Sequence, residues 1–453
     1  MCPRRLPALP APITARRAAM TAAATIANPA GTTSSMADTF YDRTLTGDGV
    51  EVITETIDAV RSVAIGIWFA VGSRDEGPAE AGMSHFMEHM MFKGTPTRSA
   101  AEISEHFDRL GGELNAFTSK EYTCFYARVL DDHVDDAVEV LSDMVVNSLL
   151  ADNAITPERE VVLEEISRHD DTPDDAIHEL FAATLLPDHP LGLPVLGQRE
   201  TVGSFDHAAS ADFHRRHYVT GNVVVAAAGN VQHQQVVDLV NRFLTLPHGA
   251  RTPRGEREPE VASALRVIRK ETEQAHICWG VRGLRADSGE RFAMSILDSV
   301  LGGGLSSRLF QEIREKNGLA YAVFSYHSLY LDTGQFTVYV GTRPSNAEQA
   351  ITLIKREVEK VRENGITEEE LDRSKESIKG QLVLGLESTR SRMSRLGKSA
   401  VTNGELLSTD ELVARVDAVT SDDIHRLAEK LFSGPEVLAM IAPLDVEDIA
   451  HLF

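Results

Sequence analysis

The chain has 453 residues, of which 42% are hydrophobic and 25% charged, with 68 acidic against 45 basic side chains and a net charge of −23. This length exceeds one ordinary core and predicts about two or three domains of a soluble globular protein. So acidic a balance argues against a nucleic-acid-binding face, which has to be basic, and no apolar run reaches the roughly 18–20 residues that span a bilayer. Cys2, Cys124 and Cys278 stand far apart without a C-x-x-C spacing. Structural disulfides are therefore not expected, and the cytoplasm is the expected compartment.

The first 35 residues hold four arginines, no acidic residue, and much Ala, Pro and Thr. A disordered extension over residues 1–40 is predicted; prolines and arginines interrupt any secretory apolar core. Next comes "VRSVAIGIWFAVGS", Val60 to Ser73, β-branched and aromatic and bounded by Gly-Ser, which reads as a strand. "SAAEISEHFDRL" (Ser99–Leu110) has helical spacing and stops at Gly111-Gly112. "EYTCFYARVL" reads as a strand with Cys124 as a small buried hydrophobe, and "DDHVDDAVEVLSDMVVNSLL" as an amphipathic helix. "TPEREVVLEEISRH" predicts a further helix, with Thr156 as N-cap and Pro157 in its first position.

The second half repeats this order. Trp68 and Trp279, the only tryptophans, are 211 residues apart, as are Ala64 and Ala275, Arg74 and Arg285, Met83 and Met294, and Phe125 and Phe336. Ile155-Thr156 recurs at Ile366-Thr367 with the same offset. An internal duplication follows, giving domains at 41–246 and 262–453 joined by a Pro-, Gly- and charge-rich linker at 247–261. Neither half shows regular βαβ alternation, so each is expected to be α+β, with helices packed on a mostly antiparallel sheet.

"AGMSHFMEHMMFKGT" places His85 and His89 four residues apart with Glu88 between them. Residues i and i+4 share a helix face, so both imidazoles can meet one ion, and Glu88 lies on that face within reach of a metal-bound water. Phe86, Met87, Met90, Met91 and Phe92 make the rest of the helix apolar, so it is expected to be buried, where polar side chains need a partner such as a cation. A helix with satisfied polar residues is the plainer reading. At the 211 offset these three positions hold Ile296, Ser299 and Val300, so the fold itself does not require them. His133 and His169 lie in strongly polar segments and read as solvated helix faces.

From about residue 45 onward the chain resembles the M16 metallopeptidases, zinc proteases with an inverted motif, and within them the processing-peptidase-like group. The resemblance implies the LuxS/MPP-like metallohydrolase fold, with two homologous domains of which only the first binds zinc. It implies one zinc ion per chain held by His85, His89 and a glutamate 76 residues beyond His89, which is Glu165. Glu88 would be the general base and Glu158, seven residues before Glu165 on the same helix face, a supporting residue; Glu160 and Glu164 would face solvent. "GGELNAFTSKEYTCFYARV" matches a substrate-pairing edge strand, with Asn115, Ala116 and Phe117 as the substrate-binding residues. "LGGGLSSRLFQEIREKNGLAYAV" matches a segment whose Arg and Tyr, here Arg314 and Tyr321, point into the active chamber.

A closed chamber in this family takes four such domains and the chain has two. A homodimer, or a heterodimer with a related chain, is implied, acting on peptides or unfolded protein segments. Two other readings use the same residues: a scaffolding subunit of this fold without catalysis, and a zinc hydrolase or lyase of small molecules. The His2Glu donor set favours zinc over calcium or magnesium.

Overall fold

Apolar strands of the first half assemble a six-stranded sheet in a computed structural model that describes residues 40–453 apart from 252, 255–257 and 403–404. The extension expected over residues 1–40 lies outside the described residues except for Phe40. The strands are β1 (Asp42–Leu45), β2 (Glu51–Thr56), β3 (Ser62–Phe69), β4 (Glu113–Thr118), β5 (Thr123–Leu130) and β6 (Val223–Gly229), in the order β1-β2-β6-β3-β5-β4. The second half builds β7 (Ala264–Arg269), β8 (Ala275–Arg282), β9 (Ala320–Leu329), β10 (Gly334–Thr342) and β11 (Glu436–Ala442), in the order β7-β11-β8-β10-β9. Without β1 the two orders are the same, and β4 and β9 occupy corresponding edges. Only β2–β6 and β7–β11 pair in parallel, so two α+β domains with mixed, mainly antiparallel sheets result.

The site depends on five helices of the first half: α1 (Met83–Met91), α2 (Ala100–Leu110), α3 (Val134–Val146), α4 (Asp152–Asp171) and α5 (Pro173–Leu185). Central strands are apolar at almost every position because both sheet faces are covered. In β3, Val63, Ile65, Ile67 and Phe69 enter the core shared with α1 and α3, while Ala64 and Trp68 point the opposite way. A helix from the other half, Thr389–Thr402, covers that opposite face with Met393, Leu396 and Val401. In return, α5 lays Ile177, Phe181 and Leu185 on the second sheet, against Cys278, Tyr339 and Val437. Each half lends a helix to the other's sheet. Cys124 and Cys278 are fully buried on these two exchanged faces, and burial raises both thiols well above their ordinary range.

A second joint is ionic. The β4–β5 and β9–β10 hairpins close with the same turn, Ser119 N–H to Tyr122 O in one and Tyr330 N–H to Thr333 O in the other. These turns place Glu121 and Asp332 at matching positions, and Arg74 grips both, at 2.5 Å from Glu121 Oε1 and 2.5 Å from Asp332 Oδ2. All three side chains are buried, so removing one would strand a charge in the interior.

Two sequence expectations are corrected here. Trp68 and Trp279 are not equivalent, nor are Ala64 and Ala275: the first of each pair faces the exchanged helix and the second its own helical layer. Side chains alternate along a strand, so an offset wrong by an odd number of residues reverses the face; Phe125 and Phe336 do correspond. Thr156 is not an N-cap. The helix starts a turn earlier, at Asp152, after Leu150 at φ 45° and an extended Ala151, which leaves Pro157 inside it. Its counterpart Thr367 does cap its helix, accepting the Glu370 N–H. One linker side chain, Arg254, is buried and donates to Asp75, Oδ2 at 2.6 Å, and to the Ala70 carbonyl.

The exchanged helix gives a test of opposite sign to propensity. A Cβ on Gly397 would lie 2.2 Å from Cε2 of Trp68. Gly397→Ala, which in an isolated helix gains about 1 kcal/mol, is expected here to lower unfolding free energy by about 1–3 kcal/mol through overpacking. Denaturant titration followed by tryptophan fluorescence measures it.

Candidate metal centre

Helix α1 follows Gly82, whose φ of 94° belongs to the left-handed region and whose missing side chain leaves the first turn uncapped. Glu76 supplies the cap from outside. Its Oε2 accepts the Gly82 N–H at 2.7 Å and its Oε1 the Ser84 N–H at 2.7 Å. Phe86, Met87, Met90 and Met91 are fully buried, which turns His85, Glu88 and His89 towards a half-buried cleft facing α4. Glu158 and Glu165 look back from α4, while Glu160 and Glu164 are exposed, as the seven-residue step requires.

The ligand atoms converge. His85 Nε2 and His89 Nε2 are 3.2 Å apart, and Glu165 Oε2 lies 3.7 Å from the first and 3.6 Å from the second. Among the described residues this is the one group of three or more His, Cys, Asp or Glu side chains close enough to share an ion. Glu165 Oε2 is buried without a hydrogen-bond partner, at distances too long for hydrogen bonds. A tetrahedral ion with bonds of about 2.0–2.2 Å holds its ligand atoms about 3.3–3.6 Å apart. The donor set fits such an ion, and two imidazoles with one carboxylate suit zinc.

The surroundings act in opposite directions on the two imidazoles. Burial and the neighbouring His89 push His85 down to about 4, so it is neutral near pH 7. Burial also opposes charge on His89, but the Glu158 hydrogen bond and nearby carboxylates outweigh it and raise that group. Glu158 Oε1 is 2.8 Å from His89 Nδ1; an ionised carboxylate can only accept, so an Nδ1 proton points to Glu158 and Nε2 is the nitrogen turned towards His85 and Glu165. Burial raises Glu88, partly offset by Thr118, whose Oγ1–H donates to Glu88 Oε2 at 2.6 Å.

Thr118 ends β4, and β4 is the sheet edge. Asn115, Ala116 and Phe117 precede it on that edge, where the Ala116 N–H is covered by Asn115 Oδ1 at 2.8 Å. Arg314 and Tyr321 lie elsewhere. Arg314 belongs to a π-helical stretch, Phe310–Lys316; it donates to the Tyr321 carbonyl at 3.0 Å and stacks 4.5 Å from that ring's centre. Tyr321 is 79% exposed on the edge strand β9, and neither side chain bonds to His85, Glu88, His89 or Glu165. Glu76, Lys93 and Thr118 escaped the sequence reading: each acts on a residue of another element, and no local pattern marks them.

Residues 51–199 match the family model described as insulinase (peptidase family M16), and residues 204–378 the model described as peptidase M16 inactive domain. An uncharacterized zinc protease of Streptomyces coelicolor is 43% identical over 418 residues, covering 90% of this chain and 91% of its own length. The chain belongs to peptidase family M16. A relative of the same description from Bacillus subtilis is 43% identical over 396 residues, covering 87% of this chain and 97% of its own. Among solved structures, a protease from Helicobacter pylori shares the fold with a TM-score of 0.81 at 24% identity, over 88% of this chain and 99% of that one. A peptidase M16 inactive domain from Pseudomonas fluorescens does so with 0.84 at 21% identity, over 89% and 98%. The match to the inactive-domain model includes the helix Arg291–Leu301, which carries no histidine. No helix among the described residues is long and apolar enough to cross a membrane.

Glu76 offers a pH test of the cap on α1. Burial outweighs its two backbone hydrogen bonds and pushes it up to about 8, above the ordinary 4.5. The folded state therefore holds a proton that the unfolded chain has released, so stability from this group is complete below pH 4.5 and declines until about pH 8. Glu76→Gln should remove that slope: wild-type stability relative to the variant falls between these limits and is flat beyond them. Urea unfolding across about pH 5–9 reads the difference.

Proposed function

We propose that this M16 chain is a zinc-dependent endopeptidase that cleaves peptides or unfolded segments. The observation that carries the reading is the meeting, in one cleft, of three metal-donor atoms, a base-competent carboxylate and the free edge of a sheet. His85, His89 and Glu165 would hold one zinc ion, which when bound supplies Lewis acidity for activating water and polarising a carbonyl.

The chain's own residues do the rest. Glu88, raised by burial, takes a proton from the attacking water and passes it to the leaving amine. Thr118 fixes one oxygen of Glu88 and leaves the other to exchange that proton. An extended substrate adds to β4, trading the internal Asn115–Ala116 bond for backbone pairing that sets the cleaved bond beside α1. Such pairing needs an extended chain, which favours peptides and unfolded segments over folded proteins.

Arg314 and Tyr321 form no hydrogen bond or ion pair with His85, Glu88, His89 or Glu165 and carry donors suited to an oxyanion or a substrate backbone. We assign them to the cleft of a second copy in a homodimer. A mixing experiment tests both ideas. Glu88→Gln should keep its zinc and lose at least about 100-fold in cleavage of a quenched unstructured peptide. Tyr321→Phe should also be impaired, and mixing the two variants should restore cleavage, because one cleft then has Glu88 and an intact Tyr321 from its neighbour. Equal cleavage by wild type and Glu88→Gln sinks the mechanism; no recovery on mixing sinks the shared cleft.

A further inference from the structure

Both carboxylate oxygens of Glu158 are engaged. Oε1 meets His89 Nδ1 at 2.8 Å, and Oε2 lies 2.5 Å from Lys93 Nζ. The Glu158 side chain is only 8% exposed, whereas that of Lys93 is 34% exposed. Lys93 stands two residues beyond the end of α1, its N–H on the Met90 carbonyl, so its ammonium group crosses from the end of α1 to α4. It forms no other ion pair among the described residues.

Charge balance gives this contact a purpose. Glu88, Glu158 and Glu165 crowd round two neutral-capable imidazoles. With all three ionised, a divalent cation leaves one negative charge over, and Lys93 is the cation that offsets it. Its place beyond the C-terminal end of α1 is also where the helix dipole favours a positive group. A buried carboxylate without that partner would turn towards water, and the His89 ring would lose the acceptor that fixes its tautomer.

Resting on the zinc reading above, we infer that Lys93 is a positioning residue of the metal centre: it pins Glu158 so that Glu158 holds the Nδ1 proton of His89 and aims Nε2 at the ion. Lys93 touches neither metal nor substrate. Its effect on the metal runs through Glu158 alone.

The test measures zinc affinity of the full chain by competition with a chromogenic chelator, alongside the melting temperature of the metal-free protein. Lys93→Met should weaken zinc binding about 10-fold, and Lys93→Arg should recover most of it. In a Glu158→Gln background, adding Lys93→Met should change affinity less than about twofold, since the path is already cut. Lys93→Gln repeats the measurement should Lys93→Met fail to fold. Wild-type affinity in Lys93→Met, or an undiminished loss in the Glu158→Gln background, overturns the inference and leaves the zinc reading standing. A wild-type chain that takes no zinc overturns both.

Discussion

The packing of α1 against α4 is the constraint on which the centre depends. Helix α1 alone can set two imidazoles and Glu88 on one face, but the third donor has to come from α4, within 3.7 Å of both nitrogens. The contact is tied at His89–Glu158 and again at Lys93–Glu158, so one buried carboxylate joins the two helices and orients a ligand. Displacing α4 by an ångström would open the donor triangle.

What fixes α4 lies in the other half of the chain. Helix α5 follows it directly, after the break at Thr172–Pro173, and is packed on the second sheet. The reciprocal helix Thr389–Thr402 covers the first sheet, and Arg74 clamps the matching hairpin turns of both halves. Next to Arg74, Asp75 holds Arg254 of the linker and Glu76 caps α1. A second domain without metal ligands thus serves a physical purpose, because it anchors both helices that bear them.

Much of this is legible in the chain itself. The H-x-x-E-H spacing defines one helix face, and Glu158 and Glu165 share another because seven residues make about two turns. Continuous apolar strands such as "SVAIGIWF" announce burial on both faces, yet they cannot name the cover, which comes from 325 residues away in the case of Trp68 and Met393. The offset of 211 locates the duplication but reverses the face of Trp68 against Trp279, since identity at a fixed offset is blind to a slip by an odd number of residues. Glu165 enters as a ligand through resemblance, because no local pattern separates it from Glu160 or Glu164 until the partner helix is placed. Thr118, Lys93 and Glu76 are ordinary polar residues in sequence, and their roles exist only across elements.

The centre therefore joins three levels of structure: a helical spacing, a helix–helix contact and an exchange between duplicated halves. Whether His85, His89 and Glu165 bind one zinc ion is the question on which its chemistry turns. The most direct measurement is anomalous diffraction from crystals of the full chain, collected on both sides of the zinc absorption edge. A single peak, lost below the edge, is predicted between His85 Nε2, His89 Nε2 and Glu165 Oε2. Absence of a peak there after zinc loading, or a peak only on other residues, would contradict the zinc centre.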